Sequence, residues 1–292
     1  LNVAALVDQM PDTDKEIEAK QPPPPDKPDQ PKKPARSDRF GEASKFTGPD
    51  PEAAEKVFAA ILEGGHDSLL ELIALVRDPG DADFKHFKAG YVLHGLAVAV
   101  GRPGQEAQRK LFAEALASQL ANDKHSKAVR GFFIRELQIV GGREVVAALA
   151  KQLDDEELCQ FATPALLAIR DGAAEPLRAA LRRAKGRNRL MIIQALGVLR
   201  DNGAAKALLE AIADQDRDVR IASVWALANI GDASVVEPVI KSADAADGWE
   251  KTQHTKACLL LAEKLQASGQ KTPATRIYTH LRDTRKDSDR HV

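Results

Sequence analysis

The chain has 292 residues, 43% of them hydrophobic and only 4% aromatic, with a formal net charge of −1 at pH 7. Near-neutrality excludes a global field that would gather nucleic acid or anionic membrane. The longest apolar candidate, "LHGLAVAVG" at 93–101, falls short of the roughly 18 residues that a membrane-spanning helix needs.

In chain order, the sequence starts at Leu1 without a methionine, so removal of an upstream segment such as an export signal is expected. Residues 1–49 form a Pro-rich extended arm. From Pro11 to Pro51 the composition turns to Pro, Asp, Lys, Glu and Gln, too poor in apolar groups to offset the entropy of ordering. Within "QPPPPDKPDQPKKPAR" the prolines Pro25, Pro28, Pro31 and Pro34 recur every third residue. Polyproline II has three residues per turn, so these four line one edge and charged residues the other two. At about 3.1 Å per residue, Pro22 to Pro34 would reach roughly 40 Å. The segment reads as a stiff spacer, or as a PxxP ligand for an aromatic groove. Arms of this kind accompany exported bacterial cell-envelope proteins, so a periplasmic location is expected, with the cytoplasm as alternative. Removing residues 1–45 should leave the melting temperature nearly unchanged.

Beyond the arm, 50–78 reads as an opening helical pair and 80–121 as a longer one, together an irregular N-terminal section over 50–121. Between 122 and 245 the chain repeats. "LQIV" (137–140), "LLAI" (166–169), "LGVL" (196–199) and "LANI" (227–230) recur at steps of 29, 30 and 31 residues, and Leu149, Leu177, Leu208 and Val239 follow them. This is helical periodicity on both sides of a short turn. Pro176 and Pro238, in "AAEPLRAAL" and "VVEPVIKSA", fit first turns that lack intrahelical partners for the N–H. Residues 246–292 read as a C-terminal capping pair and tail.

"DRDVRIASVWALANIGD" at 216–232 resembles the first helix of short HEAT-like, armadillo-type repeats. "KACLLLAEKLQASGQKTPATRIYTHL" is similar to a tetratricopeptide pair. The resemblance implies an all-α fold, a right-handed α-solenoid of about seven antiparallel helical pairs. It also implies a structural ladder in which Arg130, Arg189 and Arg220 engage acids such as Asp216, with Cys159 interrupting the series. Some HEAT-like proteins are DNA glycosylases or chromophore lyases, which keeps an enzyme reading open by analogy of fold alone.

The chemistry-bearing residues are sparse. Cys159 and Cys258 lack CxxC or CxxCH spacing and read as buried, inert thiols. The seven histidines form no metal pattern, no phosphate-binding or nucleophile motif occurs, and no cofactor or metal is expected. The basic run "LRAALRRAKGRNRL" carries Arg178, Arg182, Arg183, Lys185, Arg187 and Arg189. It could contact phosphates or an acidic protein. Acidic turns at 154–157 and 214–218 would neutralise it along one edge of a stack, so nucleic acid is not the expected partner. Trp225 lies about 200° around its helix from Leu227, a direction the array otherwise gives to solvent, and reads as a contact anchor or as cover for a seam near Trp249. The second helices carry Lys206/Glu210 and Glu237/Lys241 pairs, a solvated face. Hydrophobic docking is therefore expected on the N-terminal pairs, around Phe84, Phe87, Tyr91, Phe112, Phe132 and Phe133. These residues suggest a noncatalytic protein-binding scaffold that is part of a larger complex.

Overall fold

The structure, a computed structural model, describes residues 1–10, 51–78, 87–285 and 292. The described residues are helical, with no strand among them. The prolines Pro25, Pro28, Pro31 and Pro34, and Phe84, lie outside them. Two compact units divide the chain at 140/141.

Unit 1 contains α1 (Val3–Asp8), α2 (Pro51–Glu63), α3 (Gly65–Leu75), α4 (Phe87–Val100), α5 (Glu106–Ser118) and α6 (Lys127–Val140). The first helix differs from the expectation of an arm over 1–49. Asn2 caps α1 by accepting from the Ala5 N–H at 3.0 Å. Val3, Val7 and Met10 are buried as α1 packs on α2, α3 and α4. Six residues are too few to hold a helix alone; the apolar face at positions 3, 7 and 10 holds it. The expected boundary at 121/122 is displaced to 140/141 because α6 packs on α4 and α5, where Phe133, Leu137 and Phe112 are fully buried. Glu136 is buried there too, its carboxylate 3.0 Å from His94 Nδ1.

Unit 2 contains α7 (Val146–Ala150), α8 (Cys159–Ile169), α9 (Ala174–Leu181), α10 (Gly186–Leu199), α11 (Ala205–Ala211), α12 (Arg217–Ile230), α13 (Val236–Ala245), α14 (Gly248–Ala267) and α15 (Lys271–Arg285). Among the described residues fourteen helices follow α1, the number that seven pairs require. In unit 2 the first helices α8, α10, α12 and α14 pack side by side, each backed by the second helix that precedes it. Leu166, Leu196 and Leu227 of the repeated motifs are fully buried, as are Leu177, Leu208 and Val239 of the second helices. Small residues set the spacing. A Cβ on Gly197 would stand 2.9 Å from Ala226 Cα and 2.8 Å from Trp225 Cζ3, so only glycine permits this approach of α10 and α12. Pro176 and Pro238 are the third residues of α9 and α13, where the missing N–H breaks no helical bond.

Charge pairs connect neighbouring repeats. Arg220 meets Glu250, and Arg189 meets Asp214 at 3.2 Å. Asp216 caps α12, accepting from the Asp218 N–H at 2.8 Å, and its charge is among those that raise the Arg220 pKa, after the Glu250 hydrogen bonds. Arg130, in unit 1, donates to the Leu120 carbonyl. Glu237 pairs with Arg276 of the next pair, at 3.0 Å.

A candidate partner-binding groove on the first helices

Each first helix of unit 2 has a second stripe, turned away from its buried leucines. On α10 it holds Met191, Gln194 and Val198; on α12, Asp218, Ile221 and Trp225; on α14, Trp249, Gln253, Lys256 and Leu260. These are steps of three, four and seven residues, one face of each helix. With Pro164 and Leu167 of α8, the stripes enclose an open groove of about 920 Å³. In the N-terminal pairs, where apolar docking is expected, Phe112 and Phe133 are fully buried.

Trp225 and Trp249 both line this groove. Trp225 is half-buried, one edge of its ring over Gly197, rather than solvent-facing as its angle from Leu227 suggested. Trp249 is 57% exposed, with the Arg217 guanidinium 5.6 Å from its ring centroid. Stacked packing of α10 on α12 makes the groove floor, and the helix-level reading could not supply that neighbour.

The basic run sits elsewhere, on the edge formed by the turns. Arg178 pairs with Asp201 at 2.6 Å, and Arg183 with Asp154 at 2.7 Å. With Arg189 on Asp214, three of the six cations face acids of adjoining turns, which offsets the charge a phosphate backbone would meet. Arg182, Lys185 and Arg187 are exposed. A second cleft of about 530 Å³ beside them mixes Arg183, Lys185 and Arg187 with Asp154, Glu156 and Glu157. A third, of about 930 Å³, runs along the second helices and includes Leu209, Ile212, Pro238 and Glu237.

Neither thiol is activated. Burial raises the pKa of Cys159, whose Sγ lies 3.7 Å from Thr163 Oγ1. It pushes that of Cys258 up to about 12. Among the described residues no three His, Cys, Asp or Glu side chains are gathered as metal ligands, and no helix is long and apolar enough to cross a membrane.

Residues 174–257 match the HEAT repeat family. The matched residues span α9 to the middle of α14 and supply most of the groove. No curated protein matches the chain. Among solved structures it is similar to the complex of CpcE and CpcF of phycocyanin lyase from Nostoc sp. PCC7120. That match has 15% identity and a TM-score of 0.40, and covers 73% of this chain and 92% of that one.

Proposed function

We propose that the chain is a noncatalytic protein-binding scaffold, an assembly subunit whose HEAT repeats dock a protein partner in the groove of the first helices. The observation that carries this reading is the convergence of both tryptophans of the chain on one apolar groove, with Trp249 more than half exposed. Tryptophan is enriched among the energetic centres of interfaces, and the more exposed of the two indoles, Trp249, opens directly onto the groove. The lining offers one carboxylate, Asp218, and one ammonium, Lys256, an arrangement suited to recognition. In this reading residues 21–36 serve as a spacer.

Purification of the chain with its complex from the native source, beside Val198→Glu and Trp225→Ala, tests the proposal. The partner should co-purify with the parent chain and with Arg182→Ala on the opposite edge, and be lost from both groove variants while their melting temperatures stay close to the parent's. Retention of the partner by Val198→Glu would remove the groove from the reading.

A further inference from the structure

The occupant of the groove can be argued from its hydrogen-bonding chemistry and from the charges at one end; this step rests on the docking role proposed above. The indole N–H groups of Trp225 and Trp249 and the amides of Gln194 and Gln253 have no partner among the described residues. The two indoles and the Lys256 ammonium are donors only; the one acceptor-only group in the lining is Asp218, already 3.7 Å from Arg217. A helix laid in such a groove has spent its backbone carbonyls internally and would leave these donors covered and unpaired, which is costly. An extended proline-rich chain has the opposite inventory. Its carbonyls are all free and its prolines have no N–H to satisfy. Aromatic-lined grooves take segments of this type because the polyproline II form is largely pre-ordered.

Charge then sets the flank. Beyond Val198 on α10 comes Arg200, and beyond Leu260 on α14 comes Lys264. Lys264 is close enough to the α12 end that a Cβ on Gly231 would lie 3.5 Å from its Cβ. Burial and then the Arg200 charge both lower the Lys264 pKa. Lys256, Lys264 and Arg200 have no ion pair among the described residues. Arg200 and Lys264 past one end of the apolar groove, with Lys256 in its lining one turn before Leu260, complement carboxylates. They disfavour the chain's own residues 21–36, where Lys27, Lys32, Lys33 and Arg36 outnumber Asp26 and Asp29.

We infer that the groove lined by Trp225 and Trp249 binds an extended proline-rich segment of a partner protein, followed by an acidic flank that lies against Lys256, Arg200 and Lys264.

The test uses the full chain and its intrinsic fluorescence, because the chain has two tryptophans and both line the groove. Three synthetic peptides are titrated: eight prolines followed by four glutamates, eight prolines followed by four lysines, and the chain's own residues 21–36. The acid-tailed peptide should change the emission saturably and bind at least tenfold tighter than either other peptide. In Lys256→Glu that tenfold preference should vanish while the protein stays folded by circular dichroism. Absence of saturable binding by the acid-tailed peptide would overturn the assignment of the occupant, as would binding of the lysine-tailed peptide with equal affinity. Tighter binding of residues 21–36 would give the groove to this chain's own arm. Any of these results, together with loss of the native complex in Val198→Glu, would leave the docking groove standing and remove the proline-rich occupant alone.

Discussion

Arg220 on α12 and Glu250 on α14 meet fork to fork: Nε lies 2.7 Å from Oε1 and Nη2 2.6 Å from Oε2. The remaining guanidinium nitrogen donates to the Asp214 and Gln215 carbonyls at 2.9 and 3.0 Å. One side chain therefore ties a first helix to the next one and to the turn before it. The bidentate geometry requires a planar fork. Arg220→Lys keeps the charge and loses the fork, and should cost about 1–2 kcal/mol in denaturant unfolding; Arg220→Ala should cost about 2–3 kcal/mol. The hydrogen bonds from Arg220 hold the Glu250 pKa below its usual value. A carboxyl depressed in the folded state stabilises above its unfolded pKa, near 4.3, and that stability is lost as pH falls through the folded pKa. Below about pH 4.3 the parent should therefore lose stability more steeply than Arg220→Ala.

His254 gives a second pH dependence of different origin. Its ring is buried between α13 and α14, with Nδ1 3.3 Å from the Ser242 carbonyl and Nε2 unpartnered. Glu250 lies 3.7 Å away, yet burial outweighs that carboxylate and the pKa is lowered, with Arg220 and Arg285 adding to the fall. The neutral ring is the folded form. Stability should be complete above the unfolded pKa, near 6.5, and fall on acidification below it by at most about 1.4 kcal/mol per pH unit. In His254→Gln the slope between pH 7 and 5 should flatten, which urea midpoints across that range would read.

Gly197→Ala places a Cβ against the backbone of Ala226, which cannot swing aside as a long side chain would. Overpacking of this kind costs about 1–3 kcal/mol. Because the same Cβ meets the Trp225 ring, the emission maximum should also shift. Unchanged stability and emission would show that α12 has slack at this crossing.

Arg170 ends α8 at φ 65°, ψ −55°, with the Asp171 N–H bonded to the Ile169 carbonyl at 2.7 Å. This is a tight γ-turn in a region that side chains avoid. Arg170→Gly should raise stability by up to about 1 kcal/mol, since glycine reaches positive φ without the Cβ penalty. A thermal melt reads the sign.

Deletion of residues 1–10 should lower the melting temperature by several degrees, because Val3, Val7 and Met10 leave the core of unit 1. Each buried apolar side chain of this size contributes about 1.5–3 kcal/mol. The composition of the following arm hid this short helix.

The repeat architecture was legible because its signal is redundant: Leu166, Leu196 and Leu227 mark the same place in successive units, and burial keeps all three apolar. The groove was not legible. From its helix alone Trp225 points in a direction the array otherwise gives to solvent, and nothing there joins it to Pro164 or Gln194. What makes them a site is adjacency across helices, and the step from one first helix to the next cannot be read from a single helix. One signal was available, the second apolar stripe of Met191 with Val198 and Ile221 with Trp225. Its meaning depended on Gly197, whose missing side chain lets the tryptophan lie across the seam.

Four ion pairs between neighbouring repeats of unit 2 are short in sequence: Arg178 to Asp201 spans 23 residues, Arg143 to Asp171 28, Arg220 to Glu250 30 and Arg276 to Glu237 39. Each fastens a repeat to its neighbour and to nothing farther away, so a pull on the two ends of the unit would load these fasteners one after another. A repeat array with nearest-neighbour interfaces yields stepwise. Stretched between optical traps, unit 2 should lengthen in increments of about one helical pair and recoil quickly on release, because every broken contact has its mate a short loop away.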